Sequence, residues 1–389
     1  MPEATNASNF LLEFDEDQLS VKNTIREFSE KQIKPRVMEF DEEQKFPLDI
    51  MHQLGELGFL GILVPEKFGG AGLGCTEYAL VVEEIARIDP SIALSVAAHN
   101  GLCTNHINLF ANDDQKNKYL RDLARGKKIG AWGLTEPASG SDSAGLQTTA
   151  VKEGNHYVLN GTKNFITHGG VGETVVVMAI TDKSKGRKGI SAFIVEKGTK
   201  GFQTGRKENK LGMRASETTQ LIFDNCHVPD ENLIGNEGEG FTQAMKILEG
   251  GRISIAALSV GLTQGCLEST ISYSKERKQF GKSISEFQAI QFKLSDLATE
   301  IDAARLMTFK AAAMKDKNQK VVEIAAKAKL FASEVATRAA NEAVQIFGGY
   351  GFVKDYPVEK FYRDVKLLTI GEGTSEVQKI VIAKNLLQD

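Results

Sequence analysis

No run of about eighteen apolar residues occurs in this 389-residue chain, so no segment is expected to cross a membrane as a helix. Cysteine is scarce and scattered. Cys75, Cys103, Cys226 and Cys266 have neither the close pairing of a thiolate metal site nor the crowding of a disulfide scaffold, so reduced thiols and no metal are expected. An excess of positive charge is also missing: 47 Lys and Arg stand against 51 Asp and Glu, a formal net charge of −4. With the signs intermixed, no broad basic face remains for a phosphate backbone, which excludes nucleic acid as a partner. The fixed-spacing signatures of common catalysts are absent: there is no phosphate loop ending in Gly-Lys-Ser/Thr, no G-x-S-x-G and no H-E-x-x-H. The glycines of residues 69–74 do not satisfy G-x-G-x-x-G and read as a turn between helices. The opening MPEATNASNFLLEFDEDQ lacks the apolar run of a signal peptide and the Arg-rich character of a transit peptide, and the expectation is a cytoplasmic protein.

What is present is an ordinary globular composition, 41% hydrophobic and 25% charged, in a chain long enough for two or three domains around a large core. Residues 1–125 read as helical. Asp15 and Gln18 form a capping-box pattern, and Leu19, Val21, Ile25, Phe28 and Ile33 fall near helical spacing. From 126 to 235 the period changes: TTAVKEGNHYVLNG, TVVVMAIT, ISAFIVE and TTQLIFDNCHV read as strands of an antiparallel sheet, with turns at 153–155 and 183–188. From 236 to 389 helical sequence returns, and Phe287, Ile290, Leu294, Leu297, Ile301 and Ala304 form a stripe suited to the inner face of a bundle.

Several segments carry chemistry. GAWGLTEPASGSD (130–142) leaves a short apolar strand for a loop of small hydroxylated residues. NGTKNFITHGG (160–170) sets Phe165 and Thr167 two apart on a strand, so that an aromatic plane and a hydroxyl share a face. ERKQFGKSI (276–284) offers Arg277, whose guanidinium suits a bidentate grip on phosphate. QIFGGYGF (345–352) offers glycines that let backbone approach a ligand or cap a helix, and both readings stand. IGEGTSEVQ (370–378) sets the Glu372 carboxylate between two glycines, on flexible backbone with little steric cover.

In this order, and over essentially the whole chain, these segments resemble the acyl-CoA dehydrogenases. The resemblance implies an α+β multidomain fold: an N-terminal helical domain, a middle antiparallel β-barrel-like domain and a C-terminal four-helix bundle. It implies FAD as cofactor, with Trp132, Leu134 and Thr135 along the isoalloxazine and Phe165 and Thr167 at its N5 side; many members have Trp where this chain has Phe165. Arg277, Phe280, Gln345, Gly348 and Gly349 are expected against the FAD of a neighbouring subunit, and Thr374 and Glu376 near the pyrophosphate or ribose. Ser141, Glu249, Arg252, Gly371 and Gly373 are expected at the substrate, Ser141 by the thioester and Arg252 by the CoA portion.

Glu372 matches the base that removes the α-proton of an acyl-CoA thioester while the β-hydrogen leaves as hydride for flavin N5, giving a trans-2-enoyl-CoA. Other members carry the base immediately before the Arg of a segment matching LEGGRISIA, a place held here by Gly251. Desolvation is expected to raise the Glu372 pKa. Residues Ile92 to Leu102, including Ser95, Ala98 and His99, are expected at the far end of the acyl pocket, and Gly371 leaves room for a branch, so short straight and short branched chains both stand. An electron-transfer flavoprotein is the implied acceptor, and a homo-oligomer of at least two subunits, a tetramer by the family pattern, is the implied assembly. The alternatives are an acyl-CoA oxidase, whose members carry an extra C-terminal domain, and a non-catalytic binding protein on the same fold. Glu372 together with the Thr135/Ser141 loop weighs against the latter.

Overall fold

The computed structural model describes residues 14–387. Its first part is built of helices: α1 (Glu16–Phe28), α2 (Val37–Glu43), α3 (Leu48–Glu56), α4 (Cys75–Ala86), α5 (Pro90–Ala98), α6 (Asn105–Phe110) and α7 (Asp113–Ala124). The capping box forms: the Asp15 side chain accepts from the Gln18 amide, and the Gln18 side chain accepts from the Asp15 amide. The central helix is α4, buried at every position but Glu77.

Strands β1 (Gly130–Gly133), β2 (Thr149–Glu153), β3 (His156–Thr167), β4 (Thr174–Ile180), β5 (Ile190–Glu196), β6 (Phe202–Thr204), β7 (Thr218–Pro229) and β8 (Leu233–Ile234) form one sheet in the order β6-β7-β3-β2-β4-β5-β8, with β1 added beside β4. Turns at 154–155 and 183–189 join their strands as expected from the sequence. The pairing is not purely antiparallel, because β1 and β2 both run parallel to β4. Strand β4 is buried on both faces almost throughout, which explains its unbroken Val-Val-Val-Met run. Val176 and Met178 pack with Tyr119, Leu123 and Ile247 of the flanking helices, whereas Val175 and Val177 face Leu159, Leu221 and Phe223 of the sheet's own interior.

The chain then returns to helix: α8 (Gly240–Glu276), a short hairpin of β9 (Lys278–Gln279) and β10 (Lys282–Ser283), α9 (Gln288–Asp316), α10 (Val322–Phe347), α11 (Val358–Asp364) and α12 (Ser375–Leu386). The stripe read on α9 is buried at Leu297, Ile301 and Ala304 and only half-covered toward its start. Helix α8 lies against α4 at a separation only glycine permits, since a Cβ on Gly261 would meet Glu83 O at 2.1 Å. One buried ion cluster joins all three parts: Lys360 Nζ is 3.0 Å from Asp89 Oδ1 and 2.6 Å from Asp364 Oδ2, and the Met213 amide donates to Asp364 Oδ1. No described helix is long and apolar enough to cross a membrane.

Candidate active site

Glu372 lies in the turn between α11 and α12. It and Gly373 both have left-handed backbone, with φ of 55° and 90°. A non-glycine residue there is disfavoured by roughly 1–3 kcal/mol and persists only where its surroundings hold it. Two buried side chains do so: Gln378 Nε2 donates to Glu372 O (3.1 Å) and Gly373 O (2.9 Å), and Lys329 Nζ donates to Gly373 O (2.8 Å). A charge-assisted hydrogen bond contributes about 1.5–3 kcal/mol, enough on its own to offset the backbone term. The sequence pattern suggested a flexible, lightly covered carboxylate, and the structure corrects both points. The turn is locked, and Glu372 Oε2 is buried without a hydrogen-bond partner. Burial pushes the Glu372 pKa up to about 7, against the opposing pull of Arg252 and Lys329.

Gly251, on α8, is the reason the carboxylate fits. A Cβ there would lie 2.4 Å from Glu372 Oε2, so the Gly251 position and the Glu372 carboxylate converge on one point in space. Beside it Arg252 is buried, its Nε unpartnered and its charge facing Glu372 and Glu249. Gly371 is roomier: an added Cβ would make only ordinary contacts with Leu367.

The β1 loop forms a second group. Trp132 and Leu134 are buried, and Trp132 Nε1 donates to His106 Nδ1 at 3.0 Å. That donor leaves Nε2 to carry the proton, which it shares with Gln243 Oε1 at 3.0 Å, and burial depresses the His106 pKa to about 4. Thr135 O accepts from the Asn164 amide (2.8 Å), and Lys163 Nζ donates to Leu134 O and, at 2.6 Å, to Glu136 Oε1. Glu136 also accepts from the Gln147 and Thr148 amides, pinning both ends of the loop that bears exposed Ser141.

Phe165 follows Lys163 and Asn164, but not in the regular alternation expected. Strand β3 bulges between Lys163 and Ile166, Phe165 adopts φ 57°, and its ring stands 64% exposed with Thr167 half-buried beyond it. The bulge aims the ring out of the sheet, which period-two spacing cannot foresee.

A third group lies at the other end of α8. Arg277 caps that helix, with its guanidinium 5.3 Å from the centroid of Tyr350, and lines a cleft of about 620 Å³ with Tyr273, Gly348, Gly349 and Asp355. Phe280 is 93% exposed beside it, and Gln345 is exposed one turn before Gly348. Helical rise puts Arg277 about 37 Å from Arg252 along the axis, so this third group stands well apart from Glu372. Thr374 caps α12, its Oγ1 accepting from the Val377 amide, and Glu376 is exposed in the first turn.

Two residues expected along the acyl pocket face elsewhere. His99 is wholly buried, bonded to Leu123 O and the Gly130 amide, and Ser95 Oγ meets Ser216 Oγ at 3.2 Å. The accessible stripe of that segment is Leu94, Ala98 and Leu102, four residues apart, so Ala98 alone of the expected three lies on it. The sequence reasoning missed Lys329, His106 and the supporting role of Gln378. The last stood within a quoted motif, while the other two carry no local signal.

The family patterns match in chain order: acyl-CoA dehydrogenase N-terminal domain over residues 15–127, middle domain over 131–226 and C-terminal domain over 238–387. The chain belongs to the acyl-CoA dehydrogenase family. It is an FAD-dependent oxidoreductase. A short-chain specific acyl-CoA dehydrogenase of Clostridium acetobutylicum is 48% identical over 372 residues, 96% of this chain and 98% of the relative. The solved butyryl-CoA dehydrogenase of Megasphaera elsdenii is 44% identical with a TM-score of 0.95, covering 97% of this chain and 100% of that one. A solved chain from work on the electron transferring flavoprotein of Acidaminococcus fermentans is 47% identical with a TM-score of 0.96 and the same coverage.

The residues of this acyl-CoA dehydrogenase fit FAD. The exposed Phe165 ring offers a flat apolar surface beside the buried, unpartnered Asn164 Oδ1, an acceptor left free for a ligand donor. At the other end, a Cβ on Gly349 would meet no atom within 4 Å, so that glycine leaves space the chain itself does not fill.

Proposed function

We propose that this dehydrogenase oxidises short-chain acyl-CoA thioesters to trans-2-enoyl-CoA, with Glu372 removing the α-proton. The observation that carries the reading is the Glu372 carboxylate itself: half-buried, with Oε2 fully covered and without a partner, and its pKa raised by burial to about 7. A base near neutrality combines an accessible ionised form with enough strength to take a weakly acidic proton. Arg252 and Lys329 supply the positive field that keeps the carboxylate available. Bound FAD supplies the two-electron acceptor for the β-hydrogen. Trp132, Leu134, Thr135, Phe165 and Thr167 are the residues to hold its ring, with Ser141 at the thioester.

Arg277, Phe280, Gln345, Gly348 and Gly349 serve the FAD of a second protomer, which the 37 Å separation along α8 supports, and the enzyme therefore works as a homo-oligomer, a tetramer by the family pattern. Thr374 and Glu376 lie by the cofactor's pyrophosphate or ribose, at the start of a helix suited to an anion. Glu249, Arg252, Gly371 and Gly373 border the substrate. Short chains are favoured by the named specificity of the Clostridium and Megasphaera relatives, and an electron-transfer flavoprotein as acceptor is supported by the Acidaminococcus structure. A branched acyl group also fits beside Gly371.

The test is anaerobic flavin bleaching across a panel of acyl-CoA thioesters, graded by length and branching, with Glu372→Gln as control. Bleaching is expected to peak with short chains, and Glu372→Gln is expected to bind FAD but turn over about 1,000-fold more slowly or less. If no thioester bleaches the flavin, the assignment fails.

A further inference from the structure

Lys329 is fully buried on α10, and a buried ammonium with three donors demands a reason. Its only hydrogen bond among the described residues goes to Gly373 O, 44 positions along the chain. The charges facing it are Glu372, Glu334, Glu376 and Arg252. Arg252 also faces Glu249, and Tyr78 on α4 faces Glu372. Lys329 therefore stands at the turn that carries the carboxylate, with Glu372 the leading charge it meets. Burial lowers its pKa to about 8, so at neutral pH it remains charged. Gln378 already supplies neutral donors to both carbonyls of that turn. An additional amide would have completed the hydrogen bonding without burying a charge. The charge is what sets lysine apart here.

We propose that Lys329 is a positioning residue for proton abstraction: its bond to the Gly373 carbonyl holds the left-handed turn that aims Glu372, and its charge favours the ionised carboxylate. The proposal rests on Glu372 being the base. Its two parts separate by substitution. Lys329→Gln retains a donor and loses the charge. Lys329→Met loses both at similar volume.

The experiment uses FAD-loaded enzyme, butyryl-CoA and a dye acceptor, with rates normalised to bound flavin. The acid limb of kcat/KM reports ionisation of Glu372 in the free enzyme. A nearby cation lowers a carboxylate pKa, so its removal moves that limb to higher pH, by about one unit in both variants. In Lys329→Met, kcat should also fall about 10- to 100-fold at every pH, because the turn loses an anchor. In Lys329→Gln, kcat should recover most of that loss above the shifted limb, with KM changed little in either variant. A merely structural lysine moves neither the limb nor the kcat recovery between the two variants. Wild-type limbs in both variants therefore overturn the proposal, even if both are less stable. Glu372→Gln run in parallel distinguishes the failures: if it is inactive while the Lys329 variants keep wild-type limbs, only the positioning role falls. If Glu372→Gln turns over normally, the base reading falls and this one with it.

Discussion

At the scale of single residues, the site is a carboxylate placed where it is hard to put one. Left-handed backbone and a fully covered oxygen act against Glu372, and Gln378, Lys329 and the missing Cβ of Gly251 hold it there. Gly251→Ala should therefore fold normally yet displace the carboxylate. A displacement near 1 Å is expected to reduce kcat about 100-fold, with circular dichroism unchanged and FAD retained. The Glu372 pKa of about 7 also fixes a direction. If Glu372 is the proposed base it acts deprotonated, so kcat/KM should rise with pH through about 7 and level off above it, and a profile flat from pH 5 to 9 would contradict the role.

At the scale of elements, the β1 loop and the bulged end of β3 act as one unit because Lys163 and Glu136 lock them together out of solvent. Burial raises the Glu136 pKa, but Lys163 and the neighbouring amides outweigh it and hold the carboxylate below its usual range. Lys163→Met strands that charge, which should reduce stability by about 3–5 kcal/mol in urea unfolding and weaken FAD retention. Helix α12 begins with Thr374 as its cap, and Thr374→Ala should cost about 1 kcal/mol by thermal unfolding.

At the scale of the molecule, three histidines tie the helical and β parts together while neutral. Burial depresses His99 and His106 to about 4 and His168 to about 3, and His168 Nδ1 lies 3.0 Å from Gly130 O. The unfolded chain takes up these protons near 6.5, whereas the folded protein resists until about 4 or below. Stability from these groups is thus complete above pH 6.5 and is lost as pH falls toward 4, so Tm should drop steadily across that window. A Tm constant from pH 7 to 4.5 would show that the rings are not held neutral. The homo-oligomer proposed above belongs to this scale too: Phe280, Tyr350 and Phe352 stand exposed, and Tyr350 lines the Arg277 cleft.

Much of this protein was legible from its residues alone. The order helix, strand, helix followed from period and composition, the start of α1 from Asp15 and Gln18, and the β2–β3 turn from its Gly-Asn pair, because all of these depend on neighbours in the chain. The identity of Glu372 as a candidate base came from its motif. Its properties did not. Its burial, its pKa, the bulge that turns Phe165 outward and the inward rotation of His99 are set by contacts distant in sequence. Lys329 reaches the turn from 44 positions before Gly373, and Gly251 gives way to the carboxylate from an earlier helix. Desolvation and charge act through space, so the sequence could name the acid, and only the packed structure could set its pKa.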